Sequence, residues 1–128
     1  MARYVREIMA TKLITLDSDD SVMSAHKLME KHSVHSVLIP PKQGGRVWSI
    51  FTDTDFLLAL DSGSDPNVIH VGEYASPVSV TADVNWTVDK AREQMVMHGV
   101  KHLPVVDDAR NVIGIISSTD IIRQYTGF

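Results

Sequence analysis

The sequence predicts an α+β fold made of two tandem repeats, each with the order strand, helix, strand, strand, helix. Apolar residues recur at helical spacing in several segments, and these segments alternate with short apolar stretches typical of strands. Clusters of Gly, Pro, Asp and Ser separate the segments. Equivalent residues also recur at a fixed distance along the chain, which indicates an internal duplication.

The duplication has a period of about one half of the chain. Val22 and Val88 are 66 positions apart, whereas Asp55 and Asp120 are 65 apart, which indicates one deletion in a turn. We assign residues 1–66 to repeat 1 with its linker and residues 67–128 to repeat 2. Because each repeat is too small to be comfortably stable alone, we expect them to share one core in one compact pair with pseudo-twofold symmetry.

Repeat 1 is predicted to begin with a short amphipathic turn and to end in a linker. A Pro-Pro-Lys-Gln-Gly-Gly turn separates its last two strands. The predicted elements are a turn at 5–9, a strand at 13–16, a helix at 21–32, strands at 34–39 and 47–51, a helix from 52 to about 60, and a linker at 61–67.

Repeat 2 follows the same order and has the clearest local pattern. The short polar turn at 107–111 predicts that the strands on either side of it pair as an antiparallel hairpin. The predicted elements are a turn at 71–74, a strand at 78–80, a helix at 86–98 ended by Gly99, strands at 103–106 and 112–116, and a final helix that begins after Ser117.

The junction between the last strand and the last helix is the candidate site. Ser117 is a good helix N-cap, and Asp120 can accept a hydrogen bond from the Ser117 N–H, as in a capping box. The same turn also suits a ligand, because a helix N-terminus attracts anions and a carboxylate can accept hydrogen bonds from two sugar hydroxyls. Thr52 and Asp55 repeat the pattern in the first half of the chain.

Composition narrows the classes of function. The net charge of −4 argues against a nucleic-acid partner bound by a basic surface, and the absence of cysteine excludes disulfides and thiolate metal sites. The N-terminus lacks the apolar stretch of a signal peptide, and no apolar run approaches the roughly 18 residues that span a bilayer. We therefore expect a soluble cytoplasmic protein without a membrane partner.

The repeats resemble the CBS domain, and the two together resemble a CBS domain pair, or Bateman module, over about residues 5–125. The resemblance is strong in repeat 2, where HGVKHLPVVDDARNVIGIISSTDII follows the family pattern of Leu-Pro-Val-Val, an Asp turn, and Gly-Ile-Ile-Ser/Thr-x-x-Asp. Repeat 1 departs from the pattern, with Leu38 in place of Pro104 and Ser49 in place of Gly114. We therefore expect the second site to be the occupied one.

The resemblance implies a regulatory module that binds AMP, ADP, ATP or S-adenosylmethionine in clefts between the repeats, with no cofactor required. It implies that Asp55 and Asp120 accept the ribose hydroxyls and that Thr52 and Ser117 bond ribose or phosphate. Four further residues are implied as ligand contacts. Backbone near Ile14 and Val78 would meet the adenine edge, and Lys101 and His102 would face phosphate.

Such modules report ligand state to an attached or separate effector protein. The sequence contains no effector domain, so we expect a stand-alone module with an unknown partner, and the apolar helices predict a homodimer. The alternative is a ligand-free dimerisation or protein-interaction module in which the Asp turns are only caps.

Enzymatic and metal sites are not predicted. No nucleophile, base and orienting residue form a set, so we expect no catalysis. The histidines lack the spacing of a metal motif, and we expect no metal site. They are His26, His32, His35, His70, His98 and His102.

Overall fold

The structure is a computed structural model that describes residues 2–127. The described helices are α1 (Val5–Ile8), α2 (Val22–His32), α3 (Asp53–Asp61), α4 (Val88–His98) and α5 (Ser118–Thr126), with a 3₁₀ turn at Val71–Glu73. The described strands are β1 (Ser36–Ile39), β2 (Ser49–Thr52), β3 (Ser76–Pro77), β4 (Ala82–Asp83), β5 (His102–Val106) and β6 (Val112–Ser117). The predicted α+β fold with two similar repeats is confirmed.

The chain forms two compact units whose limits differ from those of the sequence repeats. The first unit is Ile14–Val78, and the second unit joins residues 2–13 to residues 79–127. The segment before the first strand of repeat 1 therefore belongs with repeat 2, and residues 67–78 belong with repeat 1. The boundary between residues 66 and 67 refers to the sequence duplication and stays a prediction. The compact units are divided at other positions, after residues 13 and 78.

The first unit contains the sheet β1-β2-β3 with α2 and α3. Strands β1 and β2 pair antiparallel from Ser36 opposite Thr52 to Ile39 opposite Ser49. Helix α2 begins because the Ser21 side chain accepts a hydrogen bond from the Ser24 N–H at 3.0 Å. Its inner face packs in the apolar cluster of this unit, which is built on Val22, Ala25, Met29, Val37, Phe51 and Val71.

The second unit contains the sheet β4-β5-β6 with α4 and α5. The predicted hairpin is confirmed, since β5 and β6 pair antiparallel from His102 opposite Ser117 onward. Thr87 caps α4 by accepting from the Lys90 N–H at 3.1 Å, and Gly99 ends it with a φ of 63°. The apolar cluster of this unit includes Val5, Val88, Ala91, Met95, Leu103 and Ile116.

Each unit has an apolar cluster of its own. Two local predictions were wrong. The predicted strand at 78–80 is absent, and the strands nearby are β3 and β4 instead. The predicted strand at 13–16 is reduced to one parallel bridge between Thr15 and Leu38. Short segments form strands only where a partner edge is in reach, which local patterning does not reveal.

Candidate functional site

The candidate site in the second unit is the turn between β6 and α5. Ser117 and Asp120 form a complete capping box there. Asp120 Oδ2 accepts from the Ser117 N–H at 2.8 Å and from the Ser117 hydroxyl at 2.9 Å. The Ser117 Oγ accepts in turn from the Asp120 N–H at 3.2 Å. The capping interpretation of this turn is therefore confirmed.

The cap uses only one oxygen of the Asp120 carboxylate. Both hydrogen bonds end on Oδ2, and within residues 2–127 no hydrogen bond reaches Oδ1. The side chain is half-buried, so the cap fixes its orientation while part of it remains exposed. A carboxylate oxygen has two lone pairs, so Oδ1 can accept hydrogen bonds from a ligand while the cap stays intact.

Two more predicted residues lie beside this turn. The Lys101 carbonyl accepts from the N–H of Ser118, the first residue of α5, at 2.8 Å. His102 lies directly opposite Ser117 in the hairpin and is half-buried. The structure thus brings Lys101, His102, Ser117 and Asp120 together at one end of the sheet, with the exposed Lys101 supplying a positive charge.

The turn between β2 and α3 in the first unit has the same cap. Asp55 Oδ2 accepts from the Thr52 N–H at 2.8 Å and from the Thr52 hydroxyl at 3.2 Å. The N–H of Asp53 donates to the His35 carbonyl at 3.3 Å, which repeats the bond between Ser118 and Lys101. The two turns therefore share the backbone bond and the two hydrogen bonds that the Asp carboxylate accepts.

The two turns differ in charge, which motif analysis alone missed. Asp53 holds a second carboxylate in the first turn of α3, and its Oδ2 lies 2.6 Å from His35 Nδ1. At the equivalent positions the second unit has Ser118 and Lys101. When the repeats are aligned at the 66-residue period, His35 is equivalent to Lys101. The sequence alone could therefore have revealed this difference in charge. The α5 turn is thus the less negative of the two.

The remaining two predicted residues lie in the first unit. The Ile14 carbonyl accepts from the Leu38 N–H at 2.9 Å, and its side chain packs against the apolar cluster of this unit. Val78 also lies in this unit, where its N–H donates to the Trp48 carbonyl at 2.8 Å. Val80 is the residue that packs in the second unit as Ile14 packs in the first. Val78 and Asp120 are therefore assigned to different units.

Neither a metal-binding cluster nor a membrane-spanning helix occurs among residues 2–127. No group of three or more His, Asp or Glu side chains is placed to hold a metal ion. No helix in this part of the chain is long and apolar enough to cross a membrane.

The family model for the CBS domain matches the chain twice, at residues 5–62 and 71–127. The chain belongs to the CBS domain family. Each match contains one capped Asp turn, with Asp55 in the first and Asp120 in the second. The two copies of the turn therefore belong to the two CBS domains. CBS domain pairs are regulatory modules, and this chain is such a pair.

Solved and curated CBS proteins resemble the chain over nearly its whole length. The CBS domain pair of protein MJ0100, crystallised with 5′-methylthioadenosine and S-adenosyl-L-methionine, is 31% identical with a TM-score of 0.84, and the match covers 99% of this chain and 98% of that one. L-aspartate semialdehyde sulfurtransferase of Methanocaldococcus jannaschii is 32% identical over 96% of this chain, which spans 23% of that protein. Hypoxic response protein 1 of Mycobacterium tuberculosis is 27% identical over 93% of this chain and 82% of that protein.

Proposed function

We propose that this CBS pair is a regulatory sensor that binds an adenosine-containing ligand at the Asp120 turn. The observation that carries the proposal is that the two oxygens of the Asp120 carboxylate differ in their hydrogen bonding. Oδ2 holds the cap and Oδ1 has no hydrogen-bond partner among residues 2–127. A ribose diol supplies the two donors that this oxygen can accept.

The charges around the turn favour a ligand with phosphate or carboxylate groups. The backbone N–H groups at the start of α5 attract anions, and Lys101 adds a full positive charge. The turn at α3 carries Asp53 and Asp55 together, which repel an anion. We therefore propose the Asp120 site as the stronger one for AMP, ADP or ATP. The solved MJ0100 pair with two adenosine compounds supports the class of ligand.

A second copy of the chain is the proposed structural partner. In the second unit, Val96 and Met97 of α4 are 79% and 71% exposed, and Ile122 and Tyr125 of α5 are also exposed. Large apolar side chains on neighbouring helices of a small protein indicate an interaction surface. We propose that this surface forms a homodimer and that an effector protein reads the ligand state of the dimer.

A thermal-shift screen tests the ligand class. AMP, ADP, ATP, S-adenosylmethionine, 5′-methylthioadenosine and NAD(H) are compared with GMP and GTP. A ligand at about 100 times its dissociation constant stabilises the folded state by roughly 2.7 kcal/mol, so a clear rise in Tm is expected for at least one adenosine compound. Guanine nucleotides should give a much smaller rise. If no adenosine compound raises the Tm at millimolar concentration, the ligand-free dimerisation module is the better account.

A further inference from the structure

The two capped turns, at the start of α3 and at the start of α5, can hold a ribose in the same way. In the α3 turn both hydrogen bonds of the Asp55 carboxylate end on Oδ2, and within residues 2–127 no hydrogen bond reaches Oδ1. Asp120 has the same unbonded oxygen in the α5 turn. Each carboxylate can therefore accept hydrogen bonds from a ribose diol while its cap stays intact. Any difference in specificity between the turns must come from the groups around them.

The α5 turn adjoins a positive charge. Lys101 is exposed and makes no ion pair with the residues that the structure describes. Its carbonyl accepts from the N–H of Ser118, the uncharged first residue of α5, at 2.8 Å, so the lysine backbone adjoins the helix N-terminus. An anionic group on a bound ribose therefore meets the positive end of the helix and a lysine that can pair with it.

The α3 turn has a histidine and an aspartate in place of this lysine and serine. His35 is equivalent to Lys101, and Asp53 is equivalent to Ser118. Asp53 Oδ2 lies 2.6 Å from His35 Nδ1, so one of the two ring nitrogens already has a partner. The Asp53 N–H also donates to the His35 carbonyl at 3.3 Å, which matches the backbone bond of the α5 turn. A carboxylate thus lies at the first residue of α3, where α5 has a hydroxyl.

The charge difference between the turns does not depend on the protonation state of His35. Asp53 and His35 together carry a charge of −1 when the imidazole is neutral and 0 when it is protonated, whereas Ser118 and Lys101 together carry +1. The α3 turn is therefore more negative by at least one unit charge. A phosphate group carries about −1.5 to −2 at pH 7, so this difference acts strongly on a phosphorylated ligand.

We propose that the two turns sort adenosine ligands by the charge of the group on the 5′ carbon of the ribose. The α5 turn prefers ligands with a 5′ phosphate, and the α3 turn prefers ligands whose 5′ group is uncharged or positive. This sorting depends on the proposed function, since both turns must first bind an adenosine ligand. The pair then receives two inputs, one from phosphorylated and one from unphosphorylated adenosine compounds.

Three compounds that differ only in the 5′ group test the sorting: AMP, adenosine, and 5′-amino-5′-deoxyadenosine, whose ammonium group is positive at pH 7. Each is titrated into the ¹⁵N-labelled protein, where the amides of Thr52 and Asp55 report on the α3 turn and those of Ser117 and Asp120 report on the α5 turn. AMP should saturate the α5 amides at a concentration at least about tenfold lower than the α3 amides, and the amino compound should reverse this order.

The outcomes separate the sorting from the proposed function. The same order of saturation for AMP and for the amino compound would overturn the sorting alone. If none of the three compounds gives saturable shifts at either turn, the proposed function is overturned together with the sorting.

Salt distinguishes an effect of charge from an effect of shape. The side chains of His35 and Asp53 are 71% and 56% exposed, so added salt screens their charges. Raising the NaCl concentration from about 0.03 M to about 0.5 M should bring the two AMP dissociation constants severalfold closer together. The ratio for adenosine, which is uncharged, should stay nearly constant. An AMP ratio that does not respond to salt would contradict the proposal.

Exchange of the charged residues locates the discrimination. The double variant His35→Lys and Asp53→Ser gives the α3 turn the charges of the α5 turn, so AMP should saturate its α3 amides at a concentration about tenfold lower than in the wild type. The reverse exchange, Lys101→His with Ser118→Asp, should weaken AMP binding at the α5 turn by a similar factor. The cap hydrogen bonds involve none of these side chains and should remain in both variants.

Asp61→Ser is the matched control, because it removes an exposed carboxylate from the opposite end of α3. It should leave AMP binding at both turns unchanged. Wild-type AMP affinity at the α3 turn of the His35→Lys and Asp53→Ser double variant, or an equal gain in Asp61→Ser, would contradict the assignment.

Discussion

Replacing Asp120 by asparagine separates the two roles of this carboxylate. The amide oxygen of asparagine can accept the two cap hydrogen bonds that Asp120 Oδ2 now accepts from Ser117 at 2.8 and 2.9 Å. The NH₂ group then replaces Oδ1, and it can only donate, so it cannot accept a ribose hydroxyl. Asp120→Asn should therefore keep the cap and lose the ligand contact.

The magnitudes follow from the two kinds of hydrogen bond. Hydrogen bonds to a charged group contribute about 1.5–3 kcal/mol, so Asp120→Asn should weaken adenosine-ligand binding roughly tenfold to a hundredfold. Asp120→Ala should lose the same affinity and also destabilise the fold by about 0.5–2 kcal/mol, because the cap is broken. Calorimetric titration and urea denaturation on both variants measure the two effects separately.

Asp55→Asn is the matched control, because Asp55 makes the same cap with Thr52 at 2.8 and 3.2 Å. Its affinity loss should be smaller, since Asp53 makes that turn more negative. If Asp120→Asn binds the ligand as tightly as the wild type, and Asp120→Ala loses stability alone, then Asp120 is only a helix cap and the ribose assignment is refuted.

Three further predictions concern packing, capping and assembly. Gly114→Ala should destabilise the fold by about 1–3 kcal/mol in urea denaturation, because the new Cβ would lie 2.7 Å from the Ala10 carbonyl oxygen; a stability equal to wild type would show that this contact relaxes freely. Thr87→Ala should cost about 1 kcal/mol through loss of the bond from Lys90, and an unchanged denaturation midpoint would contradict the capping role. Light scattering at micromolar concentration should give a dimer mass that Met97→Glu reduces to that of a monomer, whereas a monomeric wild type would refute the dimer.

The helices and the β5–β6 hairpin could be predicted because their signals are local. The caps Ser21 and Thr87, the apolar spacing behind them, and Gly99 at a positive φ all lie within the element that they define. The capping boxes were predicted for the same reason, since Ser117 and Asp120 are three residues apart. Neighbouring residues therefore specify both the element and most of the candidate site.

The pairing of distant segments could not be predicted in this way. Ala10 bridges to Ile115, and nothing near either residue encodes a partner so far along the chain. This bridge joins the N-terminal segment to the second unit, and the equivalent pairing of β3 with β2 takes residues 76–77 into the first unit. The misplaced strand at 78–80 follows from the same missing information.

The charge difference between the two turns required the repeat alignment rather than the motif. Nothing in the sequence next to Asp53 or His35 marks either residue as unusual. The difference in charge becomes visible only when they are compared with the equivalent residues Ser118 and Lys101. Differences between the two copies therefore carry the information about specificity.

The most direct test of the adenosine site is a calorimetric comparison of one nucleotide with its 2′-deoxy form. The adenine nucleotide that gives the largest rise in Tm is titrated into the wild-type protein, followed by its 2′-deoxy analogue under identical conditions. If Asp120 accepts the ribose diol, removal of one hydroxyl should weaken binding at least about tenfold, as expected for loss of a charge-assisted hydrogen bond. Equal affinity for the two nucleotides would contradict the account.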